Sequence, residues 1–128
     1  ADNAGNALVF ERTGENSWDS GAEIVSPDAD AASDFFGGSV DIRGDSVIVG
    51  AVGDDDKGSG AGSLYIFNRL SGNNWDTGTK LVAPDGESSD QFGKSVGIGS
   101  DYAAAGARFN DDDGSSSGSV YVIELSTN

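Results

Sequence analysis

The sequence predicts an all-β fold of short antiparallel strands, and three observations carry that expectation. Apolar residues fall in short runs at regular spacing, as in Val40-Asp41-Ile42, Val47-Ile48-Val49 and Leu64-Tyr65-Ile66-Phe67. Clusters of Gly, Asn, Asp and Ser separate these runs, so the 20 glycines read as turn and bulge residues rather than as linker. The chain also repeats itself. Residues 5–12 return as residues 62–69, 57 positions on, and return again in part at 118–123. Trp18-Asp19 recurs as Trp75-Asp76, Pro27-Asp28 as Pro84-Asp85, and Phe36-Gly37 as Phe92-Gly93.

Within one unit, four strands follow in order. Residues 37–43 form the first, with Ser39, Asp41 and Arg43 on one face and Val40 and Ile42 on the other. Residues 46–51 form the second, whose unbroken Val-Ile-Val run is that of a strand covered on both faces. Residues 63–68 form the third, alternating aliphatic and aromatic side chains. Residues 75–83 form the fourth, more polar and carrying Lys80, as an outer edge strand should. Turn chemistry at Gly44-Asp45, 54–62, 71–74 and 84–90 separates the four.

Four antiparallel strands in such a unit are the pattern of a β-propeller blade, with the first strand innermost and the fourth outermost. The chain then divides into a partial blade with the last two strands (5–35), a complete blade (36–91) and a partial blade with the first three strands (92–128). That makes one repeat region over residues 1–128, an incomplete propeller of nine strands and about two and a quarter blades.

Charge narrows the partners. The net charge is −15, from 22 acidic residues against 7 Lys and Arg. Phosphate backbones and anionic membrane surfaces both demand cationic protein surface, so nucleic acid and membrane partners are excluded. Acidity of this degree suits divalent-cation binding by carboxylates, and it suits solubility in a saline medium where salt screens self-repulsion. No apolar run approaches the roughly 20 residues of a membrane helix. The absence of an initiator Met and of a leader-like segment suggests a mature form or an excised piece. The chain has no Cys and no His, which removes the usual bases, nucleophiles and transition-metal ligands. It is therefore expected not to be an enzyme.

At Phe36-Gly37 with Gly50-Ala51, and at Phe92-Gly93 with Gly106-Ala107, the residues resemble an FG-GAP repeat. This is the blade unit of the integrin alpha-subunit propeller and of many microbial surface proteins. Val52 and Arg108 stand where the signature has Pro. The resemblance covers residues 5–125 and implies propeller blades, a non-catalytic extracellular role, and calcium. The family's calcium loop lies between the first two strands, where this chain has only Gly44-Asp45 or Ser100-Asp101, too short to wrap an ion.

The candidate calcium ligands are therefore Asp54, Asp55 and Asp56, with Asp111, Asp112 and Asp113 in the second copy, in Gly-rich loops after the second strand. Asp28, Asp30, Asp34, Asp85, Glu87 and Asp90 lie in connections expected on the same side of the blade. Turn-capping aspartates facing solvent are the plainer alternative. Asp34 and Asp90 read as carboxylates that accept backbone N–H bonds and fix entry to the innermost strand. Phe36, Phe92, Trp18 and Trp75 read as packing between blades, with an aromatic platform for sugars as the other reading of the tryptophans. Arg43-Gly44-Asp45 matches the tripeptide that integrins recognise, but a turn that wants Gly-Asp explains it better.

The resulting functional expectation is a binding or adhesion module, secreted or on a cell surface, contacting a protein or glycan. The alternatives are a structural subunit that assembles with copies of itself, and an accessory segment of a larger secreted enzyme.

Overall fold

The computed structural model describes residues 4–28 and 32–125. Twelve strands and no helix occur among them. The strands are β1 (Ala7–Val9), β2 (Arg12–Gly14), β3 (Ser17–Trp18), β4 (Ala22–Ile24), β5 (Phe36–Arg43) and β6 (Ser46–Ala51). They continue with β7 (Ser63–Ser71), β8 (Asn74–Trp75), β9 (Thr79–Leu81), β10 (Phe92–Ile98), β11 (Tyr102–Ala107) and β12 (Ser119–Glu124).

All pairings between these strands are antiparallel, and they build blades as expected. β5, β6, β7 and β9 form a four-stranded second blade from inside to outside. β10, β11 and β12 form the first three strands of a third blade, and β1 and β4 the last two of a first. The series does not close on itself.

The strand count departs from nine because each outer hairpin is broken in two. Asp76 causes the break in the second blade: its Oδ1 accepts the backbone N–H groups of Asn68 and Gly78, both at 3.0 Å. This cap interrupts the pairing with β7 in the stretch that separates β8 from β9, so 75–83 is not one strand. Asp19 repeats the device on the N–H groups of Glu11 and Gly21, also at 3.0 Å each.

Two apolar clusters hold the blades together, one on each side of β6. Val47, Val49, Ala51, Tyr65 and Phe67 point toward the first blade and pack with Phe36, Ile24, Ala7 and Val9. Ile48 and Leu64 point the other way, onto Phe92, Ala103, Ala105 and Ala107 of the third blade. The Val-Ile-Val strand is covered on both faces, as its sequence requires. An edge-to-face aromatic pair recurs in both copies: Phe36 on Tyr65 with centroids 5.4 Å apart, and Phe92 on Tyr121 at 5.1 Å.

The blades also touch main chain to main chain. A Cβ on Gly50 would lie 2.1 Å from the Gly93 carbonyl oxygen, and one on Gly93 would lie 2.3 Å from that of Ser63. Ser39 Oγ donates to the Gly93 carbonyl at 2.7 Å, and the Ile98 N–H donates to Asp41 at 2.9 Å. The Phe92 N–H donates to the Ala61 carbonyl at 2.8 Å, as that of Phe36 does to Ala4 at 2.9 Å. These contacts fix where each innermost strand begins.

Candidate functional site

The loop between β6 and β7 carries three consecutive aspartates, and the fold sends them in different directions. Asp54 is 1 % exposed. Its carboxylate accepts from Ser63 Oγ and from the Asp56 backbone N–H, both at 3.0 Å. Asp55 braces the loop instead, its Oδ1 accepting from the Gly60 N–H at 2.9 Å. Successive side chains of a turn diverge, so the three do not converge on one point. The carboxylates that do converge are Asp54, Asp56 and Asp28, whose oxygens lie within 4.8 Å of one another. Asp28 comes from the connection ahead of β5, on the side of the blade that the sequence indicates. Asp30 lies outside the described residues.

Lys80 occupies the middle of this cage. Pairing of β9 with β7 places it opposite Tyr65. Its Nζ lies 2.6, 2.5 and 2.7 Å from the Oδ2 atoms of Asp28, Asp54 and Asp56. The Tyr65 ring floors the site 5.8 Å away, and Ser26 Oγ donates to the Tyr65 hydroxyl at 3.3 Å. Burial alone lowers the pKa of Lys80, but hydrogen bonds to Asp28, Asp54 and Asp56 outweigh it and raise the amine above its ordinary value. The ammonium is locked in its charged form.

Asp34 is a fourth carboxylate near the cage. Burial first, and then the charges of Asp54 and Asp28, push it up to about 6. Its backbone carbonyl accepts from the Gly53 N–H at 2.9 Å, tying the entry of β5 to the acidic loop. In the second copy Asp90 behaves as the sequence indicates, its side chain accepting the Glu87 N–H at 2.9 Å. Both aspartates are flanked by non-glycine residues at positive φ: Ser33 and Phe35, then Ser89 and Gln91. Such backbone costs about 1–2 kcal/mol per residue and recurs here only because the surrounding bonds dictate it.

The second copy builds the same socket without its lysine. Asp85, Asn110, Asp112, Ser119 and Tyr121 stand where Asp28, Asp54, Asp56, Ser63 and Tyr65 stand in the first. Asn110 is 1 % exposed and accepts from Ser119 Oγ at 2.9 Å, as Asp54 accepts from Ser63. Its amide donates to Asp112 at 3.3 Å. The Tyr121 hydroxyl, lacking the hydroxyl partner that Ser26 gives Tyr65, donates to Asp85 at 2.6 Å. That bond holds Asp85 below the usual carboxylate range. The Asn110 amide favours the charged form of Asp112, but its proximity to Asp85 and its burial push it up on balance. Asp111 and Asp113 are exposed and lie outside this socket.

These geometries decide how well calcium fits. Calcium takes six to eight oxygens and tolerates irregular geometry. In the first cage the cation position is filled by Nζ, and a divalent ion there would sit against a fixed positive charge. The donor set therefore fits a cation that the chain itself supplies, and not calcium at Asp54 and Asp56.

Lys80 is the residue that sequence reasoning placed but did not connect. The repeat held the signal: Lys80 faces Tyr65 in one unit, and Glu23 faces Leu8 at the same register in the unit before it. The aromatic residues split by position. Phe36 and Phe92 are buried between blades and Trp75 packs partly against the first cluster, but Trp18 is 56 % exposed beneath Arg12. Asp45 of the Arg-Gly-Asp turn is engaged by Arg69 at 3.0 Å, consistent with a structural turn.

A family model described as FG-GAP repeat matches residues 18–67 and again residues 75–123. No curated protein matches the chain. No helix among the described residues is long and apolar enough to cross a membrane.

Proposed function

The chain belongs to the FG-GAP repeat family, and on that premise we propose that it is a non-catalytic binding module of a secreted or cell-surface protein. The observation that carries this reading is the apolar surface on both outer faces of the blade series. Leu8 and Phe10 are 52 % and 53 % exposed on one face, beside Val40 and Ile42; Val120 and Val122 are 74 % and 70 % exposed on the other. Large apolar side chains clustered on a polar, acidic protein are the chemistry of a contact surface for protein or glycan. The net charge of −15 supports a saline setting, where screening relieves self-repulsion. Calcium has a narrow place in this reading, because the better-formed of the two carboxylate sockets holds its own ammonium.

The test is an array of extracellular proteins and glycans probed with the wild type and with a Val120→Lys/Val122→Lys double variant. Binding that the double variant loses, with its melt unchanged, supports the reading. Hydrolytic or transfer activity in the purified chain would overturn it.

One correspondence favours self-assembly as a second reading. Val120 and Val122 occupy the positions of Leu64 and Ile66, which lie on the face of the second blade that seats the third. Leu8 and Phe10 occupy those of Tyr65 and Phe67, which take the opposite neighbour. Copies stacked head to tail would bury both faces, closing a ring or growing a filament according to the rotation between them. Size-exclusion chromatography with light scattering separates the readings: oligomers that the double variant disperses favour assembly, and a monomer in both removes it.

A further inference from the structure

The loop from Gly53 to Gly62 is bonded to the chain on both sides of it. On its entering limb the Gly53 N–H donates to the Asp34 carbonyl, ahead of β5. On its returning limb three successive carbonyls turn outward, to the connection ahead of β10. Ser59 accepts from the Ser89 N–H at 2.8 Å, Gly60 from that of Gln91 at 3.1 Å, and Ala61 from that of Phe92 at 2.8 Å. Bonds across the loop hold this shape, and Asp54 makes two of them. Its carbonyl accepts from the Gly62 N–H and its carboxylate from Ser63 Oγ, both at 3.0 Å. Asp55 adds a third, accepting from the Gly60 N–H at 2.9 Å.

We propose that this loop is a latch between blades, closed by the ammonium of Lys80, and that opening the cage releases the start of the third blade. Asp54 is where cage and latch meet. Its carboxylate is held by Lys80 and shares that ammonium with Asp28 and Asp56. Without the ammonium, three carboxylates within 4.8 Å of one another repel, and Asp54 carries an unpaired charge at 1 % exposure. Movement toward water relieves that charge and breaks the bonds from Gly62 and Ser63. Those bonds are what aim Ser59, Gly60 and Ala61 at the next blade. One side chain on an outermost strand thereby controls a junction on the far side of its blade.

The second copy shows what closure without a cation takes. There the Gly118 N–H donates to the Asn110 carbonyl at 2.9 Å, as that of Gly62 does to Asp54. Asn110 is neutral, and its amide donates to Asp112 at 3.3 Å. An amide at this position closes the loop with no ammonium, so the latch that opens is the one built on a carboxylate. The inference concerns how the blades are held and does not rest on the binding role proposed above.

The experiment follows amide hydrogen exchange of the full chain by NMR in EDTA. In Lys80→Met the amides of Ser89, Gln91 and Phe92 are expected to exchange at least about tenfold faster than in the wild type. A Val47→Ala variant, weakened through the first apolar cluster, measures what general loss of stability does to the same amides. Their gain there should be clearly smaller. Adding Asp54→Asn to Lys80→Met supplies the amide of the second copy and should return most of the protection. Unchanged exchange at the three amides in Lys80→Met would overturn the inference. So would a gain no larger than that in Val47→Ala, or a double variant as unprotected as Lys80→Met. If Lys80→Met alone does not fold, a folded double variant with the three amides protected supports the latch, and an unfolded one overturns it.

Discussion

Lys80 and Asp54 meet at 2.5 Å, joining the outermost strand of the second blade to the loop between its two middle strands. The aspartate side chain is 2 % exposed and the lysine side chain 22 %. Removing a partner from a fully buried pair costs about 3–5 kcal/mol, and partial solvent access here reduces that to about 2–3 kcal/mol. Lys80→Met should therefore lower the thermal midpoint by several degrees, a shift read by calorimetry in EDTA. The vacated cage would expose Asp28, Asp54 and Asp56 to solution cations. Calcium should then raise the midpoint of Lys80→Met by more than any rise in the wild type. Equal calcium responses would mean that the ammonium is not what fills the cage.

Asn110→Asp rebuilds the three-carboxylate set of the first copy without a lysine. Repulsion with Asp112, together with loss of the amide's bond to it, should cost about 1 kcal/mol in EDTA. Calcium should restore part of the loss. A variant as stable as the wild type in EDTA would argue that the second socket is more open to solvent than the 1 % exposure of Asn110 implies.

The pH dependence follows from Asp34. Its carboxyl is pushed up to about 6 from an ordinary value of 3.8. The folded chain thus holds this proton more tightly than the unfolded chain does. The contribution from this group is fully present below about pH 4 and is lost as pH rises through 6. Lowering pH from 7.5 to 5 should therefore stabilise the wild type by on the order of 1–2 kcal/mol through this residue. Asp34→Asn should be the more stable protein at pH 7.5 and should lack that slope. Parallel pH–melting curves for the two would contradict the assignment.

Two glycines separate crowding from backbone strain. Gly50→Ala places a methyl group 2.1 Å from the Gly93 carbonyl oxygen and should cost about 3 kcal/mol in urea unfolding. Gly44→Ala meets nothing within 4 Å but keeps φ at +54° and should cost about 1 kcal/mol. Comparable losses would mean that the seam between blades opens to admit a side chain.

The blade architecture was legible because it is written in periodicity. Two-sided burial of Val47–Val49, the Phe-Gly starts of β5 and β10, and the repeat itself all follow from patterns that water enforces. The breaks in the outer hairpins were not legible, because Asp19 and Asp76 act through single caps inside otherwise strand-like sequence. The positive φ angles at Ser33, Phe35, Ser89 and Gln91 left no mark either, since none of these residues is glycine. At the site, sequence placed the aspartates on the correct side of the blade but grouped neighbours in the chain. The fold groups alternate residues with Asp28 and fills the space from a strand more than twenty residues further on. A lysine on an outer strand has a ready explanation as an edge guard, and that explanation hid its other end.

The Gly50–Gly93 seam bears on how such a chain changes over time. Where blades meet through peptide groups, their pitch is set by atoms common to every residue. The facing side chains are then free to trade bulk. The third blade carries Ala103, Ala105 and Ala107 where the second carries Val47, Val49 and Ala51. Even so, Gly37 approaches the Asn6 carbonyl as Gly93 approaches that of Ser63, at 2.3 Å for a notional Cβ in both cases. A duplicated unit with this seam is able to drift in composition and keep its place in the stack, so new recognition surfaces are able to arise on one blade without disturbing the next.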